Sequence, residues 1–315
     1  MDRLYIIGNG FDCYCHGMKT KYKDFRDYLI DLYPDCEDVC DVPYTKLTAD
    51  HHGYDYADED IASYIINILD ACQGDDWSDL ETALGSDIFD MFEDEFECID
   101  LDDEDSEIYN TLEQNEDKGI RIAETFDKIK KLFFDWVTEC LGDIDYNKIN
   151  SKQNYSIILR SKMEDSFYIN FNYTYTLEKV YGINPDKVWH IHGKVGDTYK
   201  QILFGHGNDG LTFDGERSWG ATDHFDELAE KLRKDTQNVI DHNKNLFKQF
   251  KDIKEIYSSG FSFSEVDMIY IHEICKYINP KNVQWYFNEY DANNNPQYID
   301  KIKKLGFKIE YEKDW

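Results

Sequence analysis

The sequence predicts an α/β protein with a Rossmann-like, doubly wound and mostly parallel sheet, interrupted by a largely helical, acidic insertion. Three observations carry this prediction. A short apolar run passes directly into a glycine turn and a helix near the N-terminus. Short apolar runs alternate with helical patterns in the second half of the chain, which is typical of a parallel sheet. Between these parts, residues 33–150 show helical periodicity and acidic loops without a convincing strand.

The first βα unit begins at once. Residues 4–7 are Leu-Tyr-Ile-Ile, a continuous apolar run typical of a strand buried on both faces. Gly8 and Gly10 follow, and apolar side chains then repeat at helical spacing over residues 22–32. Strand, glycine turn and helix together form the opening of a dinucleotide-binding unit.

The insertion is predicted to be helical. Residues 61–72 place apolar side chains on one stripe, and residues 122–140 continue such a stripe as one long amphipathic helix. Residues 93–105 are almost wholly acidic and are expected to be solvated. Because strand-type segments lie on both sides, we interpret residues 33–150 as an insertion into a single domain that spans residues 1–315.

The second half of the chain supplies the other strands of the predicted sheet. They alternate with helical patterns, of which the longest predicts one continuous helix at residues 223–250. The strand predictions are residues 156–159, 167–171, 188–191, 201–204, 253–259, 283–287 and 307–311.

Composition limits the classes of partner. The chain has 315 residues, 41% of them hydrophobic, so a real core can form. Its formal net charge is −31, which repels a phosphate polymer and an anionic membrane surface. We therefore expect no direct nucleic-acid partner and no membrane partner. A small nucleotide ligand remains compatible, because N–H groups at a helix start bind phosphate locally.

Cysteine usage and the N-terminus indicate a cytoplasmic protein. The eight cysteines are scattered, and no signal sequence precedes the first predicted strand, so we expect reduced thiols. No window approaches the roughly 18 apolar residues of a membrane span. Cys13, Cys15 and His16 form a local cluster of metal-ligating residues without a second pair at zinc-site spacing. We expect ordinary packing there and no metal.

Polar residues stand where three predicted strands end. The motif Asn-Phe-Asn-Tyr-Thr-Tyr-Thr-Leu-Glu occupies residues 170–178, and Trp-His-Ile-His-Gly occupies residues 189–193. Ligands of open α/β sheets bind at the carboxyl ends of parallel strands. We interpret these two motifs as walls of one pocket, whose third wall is the turn formed by Gly8, Asn9, Gly10, Phe11 and Asp12.

Each of these motifs has a functional and a structural interpretation. The glycine turn would let the backbone approach a pyrophosphate. However, Cys13 stands where the dinucleotide-binding fingerprint has its third glycine, so a plain strand-to-helix turn explains the two glycines equally well. Asn172 would hold a water or a sugar hydroxyl, or cap a turn. His192 would act as a general base or pack in the core. We expect at most one of His190 and His192 to face a given pocket.

A further turn follows the predicted strand at residues 253–259. Its Gly-Phe-Ser-Phe-Ser sequence is similar to a nucleophile elbow, but that pattern requires glycine where Ser264 stands. Ser264 and Asp267 better fit the N-cap and the first-turn acid of a helix. Alternatively, the backbone N–H groups of this turn bind phosphate or ribose, which makes Gly260 and Ser262 candidate nucleotide-binding residues.

Together these motifs resemble the bacteriophage abortive-infection AbiH family. The resemblance extends over almost the whole chain outside the acidic middle, and it implies a role in bacterial defence against phage. It is carried by residues 6–12, by His16, Gly17, Thr20, Tyr22 and Phe25, and by residues 170–178, 190–193 and 260–267.

The same blocks resemble, more distantly, sirtuin-like NAD-consuming domains. That resemblance implies that Gly8, Gly10, Gly260 and Ser262 hold the dinucleotide. It also implies that Asn172 orders the ribose or the attacking water and that His192 is the catalytic base. Thr174 stands where an acidic residue is common, and Asp12 replaces a serine. The absence of a four-cysteine zinc module argues against protein deacylation.

The leading hypothesis is therefore an NAD glycohydrolase that cleaves the nicotinamide–ribose bond, with NAD as substrate. Two alternatives stay open. One is a nucleotide-sensing or protein-interaction module without catalysis, in which the acidic insertion docks a partner protein of the defence system. The other is a hydrolase of a different nucleotide. Assembly into a homo-oligomer also stays open.

Overall fold

The computed structural model describes residues 1–34, 41–48, 53–73, 80–97, 99, 104–160, 163–207 and 219–312. The chain forms two compact units. The sheet unit comprises Met1–Lys21, Trp136–Leu203 and Asp235–Trp315, and the helical unit comprises Tyr22–Asp135 and Phe204–Lys234.

Strands and helices are numbered along the chain. The strands of the described residues are β1 (Arg3–Ile7), β2 (Lys46–Leu47), β3 (Tyr54–Asp55), β4 (Ser166–Asn170), β5 (Val188–His190), β6 (Glu255–Ser259), β7 (Gln284–Asn288) and β8 (Lys308–Glu312). The α-helices are α1 (Tyr22–Leu32), α2 (Asp58–Gln73), α3 (Leu80–Ala83), α4 (Asp87–Glu93), α5 (Asp105–Asp127), α6 (Ile129–Glu139), α7 (Gln153–Arg160), α8 (Thr176–Lys179), α9 (Thr222–Leu232), α10 (Thr236–His242), α11 (Lys244–Phe247), α12 (Glu265–Cys275), α13 (Glu289–Asn294) and α14 (Pro296–Lys304).

Six of the strands form one parallel sheet in the order β5-β4-β1-β6-β7-β8. If the six strands of this sheet are renumbered from 1 to 6 along the chain, their order is 3-2-1-4-5-6, which is that of the doubly wound dinucleotide-binding fold. The last residue of β1, Ile7, lies beside Asn170 of β4 and Ser259 of β6. The prediction of a Rossmann-like α/β fold with a helical insertion is confirmed.

The central strand β1 is buried on both faces. Leu4 and Ile6 belong to one apolar cluster, and Tyr5 belongs to the cluster on the opposite face. The Tyr5 ring stacks on the rings of Tyr168 and Tyr257, at centroid distances of 4.8 and 5.1 Å. A strand enclosed in this way requires a continuous apolar sequence, which is what residues 4–7 provide.

Two of the predicted strands are wrong. Residues 156–159 lie in helix α7, where Tyr155 and Leu159 pack one helical turn apart in the same apolar cluster. Residues 201–204 leave a short 3₁₀ turn, Tyr199–Gln201, without joining the sheet. A run of only three apolar residues has no periodicity that distinguishes a strand from a buried helical turn.

The continuous helices predicted at residues 223–250 and 122–140 are also wrong, because each is interrupted. The first divides into α9, α10 and α11: Arg233 is extended after α9, and the Asp235 side chain caps α10 by accepting from the Asn238 N–H. The second divides at Lys128, between α5 and α6.

The helical unit is built from α1–α5, the part of α6 up to Asp135, and α9, together with the short antiparallel pair β2–β3. Its core is aromatic, with the Phe92 ring packed against the rings of Phe89, Phe126 and Phe225. The predicted insertion at residues 33–150 overlaps this unit up to Asp135, and residues 136–150 belong to the sheet unit. Of the predicted acidic run, residues 98 and 100–103 lie outside the described part of the chain.

Candidate functional site

The carboxyl ends of five strands in the sheet unit bring polar groups and a glycine turn to one edge, here called the carboxyl edge. The parallel register places the ends of β1, β4, β5 and β6 at the same level. Ligands of doubly wound sheets bind outside this edge. The residues at or directly after these strand ends are Gly8, Asn170, His190, Ser259 and Asn288.

The glycine turn after β1 packs directly against the turn after β6. A Cβ atom on Gly8 would lie 2.6 Å from the Phe261 Cα, and one on Gly10 would lie 2.7 Å from the Gly260 Cα. Gly260 itself has a φ of +63°, in the left-handed region that favours glycine. Contact between two backbones thus requires these glycines, whether or not a nucleotide binds beside them.

Hydrogen bonds between the two turns occupy amides that a phosphate would otherwise use. The Gly8 N–H donates to the Ser259 carbonyl (3.0 Å), and the Gly10 N–H donates to the Gly260 carbonyl (2.9 Å). The Phe11 N–H donates to the Gly8 carbonyl (3.0 Å). A phosphate at this turn would have to be held by other donors.

The polar side chain of Asn9 and the hydroxyl group of Ser262 are both on exposed residues of these turns. The Asn9 Nδ2–H group donates to the Thr20 carbonyl at 2.8 Å, which ties the glycine turn to the segment that follows it. The structure therefore brings Gly8, Gly10 and Gly260 together, with two hydrophilic side chains on the surface of the turns.

Asp12 is completely buried in the π-helical turn Phe11–Cys15. Its Oδ2 accepts a hydrogen bond from the Thr174 hydroxyl, and its Oδ1 has no hydrogen-bond partner among the described residues. Burial raises the pKa of Asp12 to about 6, although hydrogen bonds from the Thr174 and Thr176 hydroxyls oppose the shift. This carboxyl group therefore changes protonation near neutral pH, which is characteristic of functional sites.

The motif at residues 170–178 places a buried polar side chain at every second position. The Asn170 Oδ1 accepts from the Asn172 N–H at 3.1 Å, and the hydroxyls of Thr174 and Thr176 lie 3.1 Å apart. Glu178 continues the row from helix α8, with its side chain 7% exposed. This alternation explains why polar residues recur at every second position after an apolar strand.

Asn172 joins the end of β4 to the glycine turn. Its Nδ2–H group donates to the Gly8 carbonyl at 3.1 Å, which is the contact between motifs that the predicted pocket requires. Its Oδ1 is buried and has no hydrogen-bond partner among the described residues. Buried carbonyl oxygens are nearly always hydrogen-bonded in folded proteins, so this atom points to a water or a ligand hydroxyl.

His190 and His192 have different surroundings. Residues two apart in a continuing strand share a face, but β5 ends at His190 and the chain turns at Gly193. The His190 ring donates from Nδ1 to the Asn172 carbonyl (3.0 Å), and its Nε2 lies 2.8 Å from Glu178 Oε1. Of the two, His190 is therefore the histidine that contacts Asn172.

His192 is paired with an acidic residue from helix α12. Its Nε2 lies 3.1 Å from Asp267 Oδ1, and both side chains are buried. The ring also packs edge-on against Phe171, at a centroid distance of 5.0 Å. The contact does not have the geometry of a hydrogen bond, so the carboxylate acts on the imidazole through its charge, which favours the protonated form of the ring.

Helix α12 begins after a strained turn. Phe263 has a φ of +53°, an uncommon conformation for a bulky residue, and its ring is fully buried. The Lys301 ammonium group donates to the Phe263 carbonyl at 2.7 Å. Ser264 holds the N-cap position, as predicted, although its side chain makes no capping hydrogen bond among the described residues. Asp267 does lie in the first turn, as predicted.

Sequence reasoning missed a polar group at the ends of β6 and β7. The Asn288 Nδ2–H donates to Asp291 Oδ2 at 2.7 Å, and the Asp291 N–H donates to Asn288 Oδ1 at 2.6 Å. The Gly260 N–H approaches the same carboxylate at 3.4 Å, and burial raises the pKa of Asp291. The sequence contains a signal for this polar group, because Asn288 directly follows the predicted strand at residues 283–287.

Two of the three residues singled out as metal candidates have protein partners. The Cys15 thiol lies 3.1 Å from the Tyr155 hydroxyl, and His16 contacts the Phe11 carbonyl (2.7 Å) and the Tyr181 hydroxyl (2.6 Å). Within the part of the chain that the structure describes, no group of three or more such side chains could hold a metal ion. In that same part, no helix has the length and apolar character needed to cross a membrane.

Comparison with known proteins identifies the family. No curated protein and no solved structure matches the chain. The family model described as bacteriophage abortive infection AbiH matches residues 4–289, a span that contains the glycine turn, the polar motif of β4, both histidines and the turn before α12. The protein is therefore a member of the AbiH family of bacteriophage abortive infection proteins.

Proposed function

We propose that this AbiH protein acts in abortive infection by hydrolysing NAD at the nicotinamide–ribose bond in the cytoplasm. The observation that carries the proposal is the buried, unpartnered Oδ1 of Asn172 beside the glycine turn of a doubly wound sheet. Such an atom provides a place for a ribose hydroxyl or a water at the edge where this sheet order accommodates dinucleotides.

The proposed reaction breaks the bond between C1′ of the ribose and the nicotinamide nitrogen. Nicotinamide leaves as a neutral molecule with the bonding electron pair, and water adds its oxygen to C1′. Asn172 Oδ1 would accept a hydrogen bond from that water or from a ribose hydroxyl, and His192 would accept the proton that the water releases. Asp267 would stabilise the imidazolium that forms.

The rest of the nucleotide would lie along the two glycine turns. Because the amides of Gly8 and Gly10 already have partners, the exposed Asn9 and Ser262 side chains are the better candidates for phosphate contact. The polar group at the ends of β6 and β7 would receive the adenosine ribose, since hydroxyls suit amide and carboxylate acceptors. Binding of remote parts of the substrate would orient the reacting ring.

The experiment that tests this proposal follows free nicotinamide and ADP-ribose after mixing the purified full-length protein with NAD. Asn172→Ala and His192→Ala should each lower kcat by about 100-fold or more, because each removes a group that acts on the reacting atoms. Asp267→Asn should lower it less, since the imidazole remains. Asp186→Asn, on an exposed 3₁₀ turn, serves as the matched control.

Absence of turnover in all conditions, including addition of phage lysate as a source of the trigger, would refute the NAD glycohydrolase. Product analysis with a panel of other nucleotides would separate a hydrolase of different specificity from an inactive protein.

One observation favours a second function, nucleotide sensing without catalysis. The side chains of His192 and Asp267 are only 4% and 9% exposed, so neither faces open solvent. A sensing module would bind NAD and leave it intact. Titration calorimetry with recovery of the nucleotide distinguishes the two functions, because only the hydrolase produces nicotinamide.

A further inference from the structure

We propose that His190 and Glu178 form a positioning pair that holds Asn172 in place through a hydrogen bond to its backbone carbonyl. The kinetic consequence rests on the proposed function, whereas the pair itself can be tested without a substrate. The two side chains come from different elements, β5 and α8, and both are buried, with exposed fractions of 4% and 7%.

Both nitrogens of the His190 ring are engaged. Nδ1 lies 3.0 Å from the Asn172 carbonyl oxygen, and Nε2 lies 2.8 Å from Glu178 Oε1. A carbonyl oxygen can only accept, so Nδ1 carries a hydrogen. The second contact also needs a hydrogen between its atoms, which belongs either to the imidazole or to the carboxyl group.

The two arrangements have the same total charge. An imidazolium beside a carboxylate and a neutral imidazole beside a carboxylic acid are both neutral as pairs. Removing the shared hydrogen would leave two acceptors facing each other in the protein interior, which is costly. The pair therefore keeps the Nδ1–H group directed at Asn172.

Other ionisable groups surround the pair. The carboxyl group of Asp12 interacts electrostatically with both His190 and Glu178, and the Tyr146 hydroxyl interacts with Glu178. The Tyr175 ring packs edge-on against His190 at a centroid distance of 5.8 Å, and its backbone N–H donates to the Tyr146 hydroxyl at 2.9 Å.

The pair completes the set of bonds that fixes Asn172. Its backbone N–H donates to Asn170, its Nδ2 donates to the Gly8 carbonyl, and its carbonyl accepts from His190. The buried side-chain oxygen, which has no hydrogen-bond partner among the described residues, is left for a ligand. Loss of the His190 bond would let the end of β4 shift, and displacement of a positioning group by about 1 Å can cost about 100-fold in rate.

The test compares Glu178→Gln with Glu178→Ala. Glutamine keeps a donor for Nε2 of a neutral imidazole, so the Nδ1–H bond to Asn172 should survive and kcat for NAD should stay within about 3-fold of the wild-type value. Alanine removes the partner, and kcat should fall by about 100-fold with little change in KM, because positioning for the reaction is lost. His242→Gln, at an exposed position of helix α10, is the control.

A second measurement needs no substrate. Nuclear magnetic resonance of protein labelled at histidine and asparagine should show a slowly exchanging Nδ1–H of His190 and slowly exchanging side-chain amide protons of Asn172. Both should persist in Glu178→Gln and be lost in Glu178→Ala. Rapid exchange of these protons in the wild-type protein would overturn the proposal, as would an unchanged Asn172 signal in the alanine variant.

The two measurements separate the proposals. Protected protons in a protein that does not consume NAD would support the positioning pair and refute the hydrolase. Unchanged kcat in Glu178→Ala would refute the positioning role even if NAD is the substrate.

Discussion

Asp12 shows how a single buried carboxyl group couples a sequence motif to the chemistry of the site. In the sequence it closes a glycine turn. In the structure it is completely buried, hydrogen-bonded to Thr174, and its pKa is raised to about 6 because burial disfavours the charged form. Its environment, and not its place in the motif, gives it acid–base properties.

The raised pKa of Asp12 predicts that the stability of the protein falls as pH rises through the titration of this group. The folded protein holds this proton more tightly than the unfolded chain, so ionisation destabilises the fold as pH rises from about 4 to about 6. Relative to Asp12→Asn, the wild-type free energy of unfolding should fall by about 3 kcal/mol across that range and then level off.

Urea unfolding of both proteins at pH 4 and pH 7 measures this difference. The exposed Asp186→Asn variant is the control, and its difference from the wild type should not follow the same curve. A difference for Asp12→Asn that is equal at both pH values would contradict the prediction.

At the scale of elements, the strand predictions failed where the apolar run was too short. The helix predictions failed where no strong sequence signal marks the point at which a helix is interrupted. Residues 156–159 form part of α7, which packs on the sheet face that carries Tyr5 and Tyr168. The segment after α9 leaves the helix at Arg233 because Lys234 pairs with His206 through a backbone hydrogen bond of 2.8 Å. Such pairing between distant segments cannot be read from helical periodicity.

This segment of the helical unit also contains a buried ion pair. Lys234 Nζ lies 2.8 Å from Glu81 Oε1 of helix α3, and both residues are buried. Lys234→Met should lower the free energy of unfolding by about 3–5 kcal/mol, because it removes one charge of a buried ion pair and keeps the other in the interior. The double variant Lys234→Met with Glu81→Leu should recover most of that loss.

Chemical denaturation of the single and double variants measures both effects. Lys231→Met, which removes an exposed partner of Glu227 on α9, is the matched control and should change stability by less than about 1 kcal/mol. A Lys234→Met protein as stable as the wild type would show that the buried pair contributes nothing.

At the scale of the whole molecule, the net charge is concentrated in one of the two units. The ranges of the helical unit contain 42 of the 65 acidic residues and 12 of the 34 basic ones, which gives −30 of the total of −31. The sheet unit, with 23 acidic and 22 basic residues, is nearly neutral. A nearly neutral sheet unit is compatible with an anionic nucleotide, which the overall charge of the chain does not suggest.

Such a concentration of negative charge should make stability depend on salt. Repulsion among the acidic residues of the helical unit is screened as ionic strength rises, because the Debye length falls from about 30 Å at 0.01 M to about 10 Å at 0.1 M. We expect the melting temperature to rise by about 2–4 °C or more between these conditions, which corresponds to a gain of about 1 kcal/mol in the free energy of unfolding. Calorimetry at matched pH measures it, and a constant or falling melting temperature would contradict it.

The sequence by itself determined the sheet-type fold and the family. Alternating apolar runs and helices, a glycine turn after the first strand, and polar residues at strand ends are local patterns, and local patterns are encoded by neighbouring residues. The same patterns identified Gly8, Gly10, Asn172 and Gly260, which the structure brings together around the ends of β1, β4 and β6.

Only the tertiary structure decided which groups face each other. The pairing of His192 with Asp267, the bond from His190 to Asn172, and the burial of Asp12 all join residues far apart in the chain. Their distances depend on strand order and on where β5 ends, and their protonation depends on burial. These are properties of the assembled sheet, because desolvation and contact arise only when distant segments pack together.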